Sequence, residues 1–398
     1  MIRLPSGALS RALAPSAALT TLALGLAACG GSSGTAAGSS SASGSKAGAV
    51  TVQAGNKTCV VSATSLSTGR HTFSVKNTGS DVTEFYVYAP GDRIVGEVEN
   101  IGPAISRSLT LDLEPGSYEL ACKPGMTGKG IRDTFTVTDS GKDTSIKGVD
   151  QAAIDDAAEQ YAAYVKDQSD QLVARTRAFV EAYVHGRDAE ARRLYPLART
   201  PWERIETVAE SFGDLDPKTD AREADLEPGQ KWTGWHRIEK DLWPPSGYRP
   251  LSYQERRQYG DNLLANIQTL HQRVQHLTYT VDQIGNGSKG LLDEVATGKI
   301  TGEEDIWSHT DLYDFQANVD GARVAYETLE PLLQVKDPAL SRTIGQRFAD
   351  LQRLLDDYRQ RDGFVSYDTV TPAQRKKLSD AVNALSEPLS KVTGAITL

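Results

Sequence analysis

Thr134-Phe-Thr-Val-Thr138 and Gln151-Ala-Ala-Ile-Asp-Asp-Ala-Ala-Glu-Gln-Tyr161 stand on either side of the division that decides the fold. The first alternates polar and apolar residues with a period of two, the pattern of a half-buried strand. The second opens a run to Val184 that holds no Gly or Pro and closes on His185-Gly186, a helix with a legible C-terminus. Upstream the strand pattern repeats in His71-Thr-Phe-Ser-Val75, Glu84-Phe-Tyr-Val-Tyr88 and Ser108-Leu-Thr-Leu-Asp-Leu113. Turn signals separate these runs: Asn77-Thr-Gly79, Pro90-Gly91, Glu114-Pro-Gly116 and Pro124-Gly125. Residues 50–139 therefore predict an all-β sandwich. Downstream, Ser252 can cap a helix from Tyr253, and Thr371-Pro372-Ala373-Gln374 combines an N-cap, a Pro at the first helical position and a capping-box partner. Residues 150–398 predict an all-α helical bundle, so the chain is multidomain.

The N-terminus reads as a targeting signal. Arg3 and Arg11 give a positive region, and Ala12 to Ala28 is apolar but too short and too rich in small residues for a membrane span. It ends Leu26-Ala27-Ala28-Cys29-Gly30, which resembles a bacterial lipobox. Residues 1–28 are then a lipoprotein signal peptide, and Cys29 is the lipidated residue that anchors the chain to the extracytoplasmic face of the cell membrane. The alternative is an ordinary secretory signal with a chance cysteine. Residues 29–49 are almost wholly Gly, Ser and Ala, which bury nothing and form a flexible tether.

Formal charge is −9, and it becomes more negative by two once Arg3 and Arg11 are removed. That balance argues against nucleic acid and anionic lipid as partners and is compatible with cations. Beyond Cys29 only Cys59 and Cys122 remain. Export permits a disulfide between them.

All five Trp lie in the helical part. Four of them flank two short patterns, Trp202-Glu203-Arg204-Ile205-Glu206 and Trp235-His236-Arg237-Ile238-Glu239. Each places two potential ligands at i and i+3, on one helix face, with an Ile between them free to enter the core. Two helices that each offer a ligand pair inward is how metal sites are built in bundles. Three carboxylates and an imidazole without thiolate suit iron or manganese better than copper(I) or structural zinc. The bland reading is a solvated face on which Arg204 or Arg237 pairs with the carboxylates. The spacing is not that of a zinc protease, since neither H-E-x-x-H nor H-x-x-E-H occurs there. His185, His271 and His276 have no second ligand at helical spacing.

Taken in order, Glu203-Arg-Ile-Glu206, Phe212-Gly-Asp-Leu-Asp216, Gly234-Trp-His-Arg-Ile-Glu239 and Ser308-His-Thr-Asp-Leu-Tyr-Asp-Phe-Gln-Ala-Asn-Val-Asp-Gly321 resemble the imelysin-type domain of EfeO iron-uptake proteins. The resemblance implies a metal site at His236 and Glu239, joined by Glu203 and Glu206, with Asp220 and Asp311 completing the shell. His309 and Asp314 are as readily hydrogen-bonding core residues. It implies iron, Fe2+ or Fe3+, as cargo, and as partners a membrane permease of the EfeU type and a haem peroxidase of the EfeB type.

Asn77-Thr-Gly79 before Glu84-Phe85, with the later Cys122-Lys-Pro-Gly-Met126, resembles a cupredoxin. Glu84 stands where the first copper-binding His would be, and no His lies between Cys122 and Met126, so a blue-copper centre is not expected. The resemblance implies Cys59, Glu84 and Cys122 as ligands for copper or iron, with Met126 a fourth. A Cys59–Cys122 disulfide remains the other reading, as does a pair that cycles between dithiol and disulfide. The expected function is a membrane-tethered iron-binding protein that passes iron to a permease and catalyses nothing. Its rivals are a metallopeptidase of the imelysin type and a surface adhesion module.

Overall fold

The computed structural model describes residues 49–398 except 91–92, 142–144 and 227–228. The targeting segment, Cys29 and nearly all of the tether lie outside these residues.

The β domain is a sandwich of two sheets. Its strands are β1 (Val50–Ala54), β2 (Cys59–Val61), β3 (Ser65–Ser67), β4 (Gly69–Asn77), β5 (Thr83–Ala89), β6 (Arg93–Ile101), β7 (Ser106–Leu113), β8 (Gly116–Pro124) and β9 (Ile131–Thr138). One sheet runs β2-β1-β4-β7 and the other β3-β9-β8-β5-β6, with β1–β4 and β3–β9 parallel and the remaining pairs antiparallel. Alternation sends Phe73, Val75, Leu109, Leu111, Phe135 and Val137 inward, where Phe73 stacks at 5.6 Å on Phe85. Strand β5 departs from that rule, because it is buried on both faces. Phe85 and Val87 enter the sandwich, whereas Glu84, Tyr86 and Tyr88 lie on the opposite face.

The helical domain comprises α1 (Gln151–Val184), α2 (Asp188–Ile205), α3 (Asp216–Thr219), α4 (Trp235–Leu242), α5 (Tyr253–Val274), α6 (Val281–Thr297), α7 (Asp311–Lys336), α8 (Pro338–Asp356), α9 (Pro372–Leu389) and α10 (Val392–Thr397). A two-stranded hairpin, β10 (Arg359–Gln360) with β11 (Gly363–Phe364), interrupts it before α9. Capping boxes start α5 at Ser252 and α9 at Thr371 as the sequence predicts, and a third starts α6 at Thr280.

Two glycines set the approach of the helices that matter for function. A Cβ on Gly321 would lie 2.3 Å from the Arg204 carbonyl oxygen, so α7 crosses α2 at backbone contact. Gly234 has φ of 92°, and a Cβ there would lie 2.0 Å from the Thr219 carbonyl oxygen. That contact brings the first turn of α4 against the end of α3.

The two domains meet along α6. Asn286 Nδ2 donates to the Thr110 carbonyl at 2.7 Å, and the Asp112 N–H donates to Asp282 at 3.2 Å. Beside this seam lies a cavity of about 420 Å3, lined by Glu97 and Glu99 of β6 and by Glu206, Asp216, Asp293 and Glu294 of the helical domain.

Candidate metal centre

The end of α2 carries Arg199, Trp202 and Glu203 on its buried face, and the chain then turns into a 3-10 segment that begins at Glu206. Trp202 fixes one wall: its indole N–H donates to Asp220 Oδ2 at 2.7 Å. The short helix α4 contributes His236 and Glu239, both fully buried, with Ile238 in the core between them. Its neighbour Trp235, also fully buried, packs against Phe179 and Tyr195. A loop ahead of α7 contributes Glu304 and Asp305, and α7 contributes Asp314 and Asn318. These elements converge on the His236 imidazole. Its Nδ1 lies 3.2 Å from Glu239 Oε2, 3.4 Å from the Tyr195 hydroxyl and 3.8 Å from Asp305 Oδ1. Its Nε2 lies 3.3 Å from Asp220 and 3.4 Å from Glu304 but makes no hydrogen bond, a buried polar atom left over in the folded chain.

The charge of this core is unbalanced. Glu203, Glu206, Asp220, Glu304 and Asp314 crowd around two buried permanent cations, Arg199 and Lys299, and Glu239 and Asp305 stand beside them on the far side of His236. The Arg199 guanidinium is fully buried and bonds Asp220, Glu203, Glu304 and Asp314. Lys299 Nζ bridges Glu203 at 2.6 Å and Glu206 at 2.8 Å, and Asn318 Nδ2 donates to both carboxylates at 3.0 Å. No arginine or lysine reaches Glu239 or Asp305 among the described residues. Instead one oxygen of each is anchored by neutral donors. Glu239 Oε1 accepts from the Trp307 and Ser308 N–H groups at 3.2 and 2.8 Å, and Asp305 Oδ2 accepts from the Thr310 hydroxyl at 2.6 Å.

Burial and mutual repulsion shift the titrations. Burial, then Asp305, pushes the Glu239 carboxyl up. Burial, then Glu203, holds Glu206 well above the usual carboxylate range despite Lys299. Asp311 rises to about 8 through burial and Asp305. Burial acts the same way on Asp220 and Glu304, but is overcome there. Arg199 and His236 hold Asp220 below its ordinary value, and Lys299 and His236 take Glu304 down to about 2. Burial and Arg199 oppose a charged imidazole, yet the close carboxylates of Asp220, Glu239 and Glu304 outweigh them, and His236 is raised well above its ordinary value. The carboxylates that ring the imidazole thus favour a positive His236.

Donor atoms lie within 4.8 Å of one another in four sets: Asp220, His236, Glu304; His236, Glu239, Asp305; Glu203, Glu304, Asp314; and Glu203, Glu206, Asp220. Five of the six helical-domain ligands named from sequence, His236, Glu239, Glu203, Glu206 and Asp220, are therefore brought together. Asp311 is not. At the start of α7 its side chain turns back to accept from the Asp305 N–H at 3.2 Å and braces that loop instead. Sequence reasoning missed Arg199, Lys299, Tyr195, Glu304 and Asp305, and it left Asp314 undecided. The acidic run Glu303-Glu304-Asp305 just ahead of the Ser308–Gly321 motif was the available signal. The expected partners of Arg204 and Arg237 also differ: Arg204 pairs with Asp320, and Arg237 binds the Tyr248 hydroxyl.

In the β domain Cys59 and Cys122 form a disulfide. Cys122 pairs with Phe85 across β5–β8 and shares its core-facing side, whereas Glu84 pairs with Lys123 and points to the other face. There Glu84 accepts from the Tyr86 hydroxyl at 3.1 Å, and Lys123 lies 3.7 Å away. Burial, then Glu99, raises the Glu84 carboxyl to about 7. Met126 sits in the turn after β8 and is 39% exposed. The four residues named as a second metal site thus form no common ligand set. The strand pleat separates Glu84 from the Cys122 sulfur.

The imelysin family profile, grouped among peptidases, matches residues 157–392, and a cupredoxin-like domain profile matches residues 23–137, part of which lies outside the described residues. The iron uptake system component EfeO of Escherichia coli O157:H7 is 35% identical over 355 residues, covering 88% of this chain and 92% of the relative. Its counterparts in Escherichia coli K12 and Shigella flexneri are 34% identical over the same spans. A solved imelysin-like protein from Psychrobacter arcticum 273-4 aligns with a TM-score of 0.39 at 12% identity, over 60% of this chain and 90% of that one.

Proposed function

We propose, for a chain that belongs to the EfeO family with a cupredoxin-like domain ahead of an imelysin domain, that it is the extracytoplasmic iron-binding component of an EfeUOB-type uptake system. It is tethered to the cell membrane through a lipid on Cys29, takes up iron in the helical domain, and passes it to a permease of the EfeU type alongside a haem peroxidase of the EfeB type. The observation that carries this reading is the fully buried His236 imidazole ringed by four carboxylates at 3.2–3.8 Å. Such an excess of buried anions is costly without a cation, and the donor set of oxygens and one imidazole suits iron. Among the described residues no helix is long and apolar enough to cross a membrane.

The carrier reading is preferred to a peptidase on the site's own chemistry. A hydrolase needs a free general base beside an open metal position. Glu206, the base that sequence offers, is tied to Lys299 and Asn318. The test is equilibrium dialysis of the purified mature protein against iron, with His236→Ala, Glu239→Ala and the exposed Glu327→Ala as control, beside a peptide-hydrolysis assay. Wild type and the control should bind iron and raise the melting temperature with it. The two site variants should bind at least tenfold more weakly. Unchanged affinity in both refutes the site, and a wild type that binds no iron refutes the function.

A further inference from the structure

The imidazole of His236 divides the buried core into two halves of different electrical character. On the Nε2 side stand Asp220 and Glu304, and both are bonded by the Arg199 guanidinium. Beyond them Glu203, Glu206 and Asp314 are held by Arg199 or Lys299. Every carboxylate of that half already has a protein cation, and an incoming metal ion would sit against the guanidinium. On the Nδ1 side stand Glu239, Asp305 and Tyr195, all fully buried; among the described residues no arginine or lysine pairs with their oxygens, and Arg199 comes no nearer than the face of the Tyr195 ring, 5.9 Å from its centre.

The Nδ1 half also has the form of a prepared coordination shell. Glu239 and Asp305 each spend one oxygen on fixed neutral donors, the Trp307 and Ser308 N–H groups for one and the Thr310 hydroxyl for the other. The second oxygen of each faces His236 Nδ1. Outer hydrogen bonds that fix one oxygen and leave the other free are what orients metal ligands. The spacings are close to those of a filled shell. Tyr195 Oη is 3.0 Å from Asp305 Oδ1 and 3.4 Å from His236 Nδ1, and Nδ1 is 3.2 Å from Glu239 Oε2, while Nδ1 and Asp305 Oδ1 stand wider, at 3.8 Å. Ligand atoms about 2.1 Å from one ion in an octahedral or tetrahedral shell lie about 3.0–3.4 Å apart. With Nδ1 on the metal, the imidazole proton sits on Nε2, facing Asp220 and Glu304, the usual arrangement behind a ligating histidine.

We propose that iron seats on the Nδ1 side of His236, held by His236 Nδ1, Glu239 Oε2, Asp305 Oδ1 and the Tyr195 phenolate oxygen, and that the phenolate makes the centre selective for the trivalent ion. This rests on the iron-binding reading above and assigns its ligands. A phenolate is a hard anionic oxygen donor, and with two carboxylates it supplies three negative charges, matching Fe(III). Tyr195 now donates its hydroxyl proton to Asp305 Oδ1. On binding, the O–H bond is exchanged for an O–Fe bond, the proton is released to solvent, and no electron moves. Glu203, Glu206, Asp220, Glu304 and Asp314 are then not ligands. They form, with Arg199 and Lys299, the frame that holds α2, α4 and α7 around the ion.

The experiment adds ferric nitrilotriacetate to the full-length mature protein and records visible absorption and resonance Raman spectra. Wild type should develop a phenolate-to-Fe(III) charge-transfer band with phenolate ring modes enhanced under it. Tyr195→Phe should lose the band and bind Fe(III) at least tenfold more weakly, with a smaller loss for a divalent ion such as Mn2+. Asp305→Asn should weaken Fe(III) binding as well, whereas Glu206→Gln should keep the band. The wild-type Raman spectrum decides the phenolate assignment even where a variant fails to fold. Ferric binding without phenolate modes, or a band that survives in Tyr195→Phe, overturns this assignment and leaves the iron-binding function standing. Failure of the wild type to bind iron in either oxidation state overturns both.

Discussion

Arg199→Met is the substitution that tests the frame most directly. The guanidinium is fully buried and bonds four carboxylates; among the described residues Lys299 is the other buried cation of the cluster, and Arg222 stands at its edge, 3.9 Å from Glu304. Methionine matches much of the volume but leaves Asp220 and Asp314 without their main counter-charge. Removing one partner of a buried ion pair costs about 3–5 kcal/mol, because the other charge stays behind. In a domain of this size each kcal/mol moves the melting temperature by about 2–4 °C, so a fall of roughly 6–20 °C is expected near pH 7.5. The deficit depends on pH. In wild type, Asp220 is held below its ordinary value because Arg199 and then His236 outweigh burial. A carboxyl with a depressed value contributes stability that is present above its unfolded value and lost as pH falls through the folded one. In the variant Asp220 loses most of that depression, burial raises Asp314 without the opposing guanidinium, and both gain stability by taking up protons as pH falls. The gap between the two proteins should therefore be widest at pH 7.5–8 and narrow steadily toward pH 4. Since Arg199 makes no ion pair or hydrogen bond to the oxygens on the Nδ1 side of His236, iron should still bind and, at a hundredfold excess over Kd, restore about 2.7 kcal/mol. Differential scanning calorimetry of the apo and iron-loaded forms at pH 4.5, 6 and 7.5 reads all three quantities. An Arg199→Met protein that melts within 2 °C of wild type at pH 7.5, or whose deficit does not change with pH, refutes the electrostatic account of the core.

Two further predictions concern the parts of the chain outside the centre. Cys29→Ser should leave the protein unprocessed or released from the membrane fraction, as a lost anchor requires, and cell fractionation with a radiolabelled fatty acid checks it; a variant that stays membrane-bound and labelled argues for another anchor. Cys59→Ser removes a cross-link that spans 63 residues, which a chain-entropy estimate puts at about 4 kcal/mol; thiol counting on denatured, non-reduced wild type should find neither Cys59 nor Cys122 free, and urea melts should place the variant's β domain at least about 2 kcal/mol below wild type.

The fold was legible wherever one periodicity governed a segment. Period-two runs became β4, β5, β7 and β9, and the Gly- and Pro-free run became α1. Helix starts at Ser252 and Thr371 could be read because a capping box is local chemistry, complete within four residues. The same logic would have found Thr280, whose partner Gln283 stands at the right spacing. Failures came where a second partner decided the outcome. Glu84-Phe-Tyr-Val-Tyr88 alternates as a one-sided strand does, yet β5 is buried throughout, because the side carrying Glu84, Tyr86 and Tyr88 is itself covered. The pleat, not the spacing in sequence, then placed Glu84 and Cys122 on opposite faces.

The centre shows the same limit in its energetics. Helical spacing correctly brought His236 and Glu239 to one face and sent Ile205 and Ile238 to the core. It could not say which carboxylates would meet a protein cation first, because Arg199 and Lys299 come from different parts of the chain. Yet that pairing separates a ligand from a frame residue. Glu203-x-x-Glu206 and His236-x-x-Glu239 look equivalent as patterns, but Lys299 neutralises the first and no lysine or arginine approaches the second. The stronger anion for an incoming cation is the one that has not yet been paired. Two buried cations thus do more than offset repulsion: by occupying one side of the imidazole, they leave the other side as the place where an added positive charge lowers the energy of the core most.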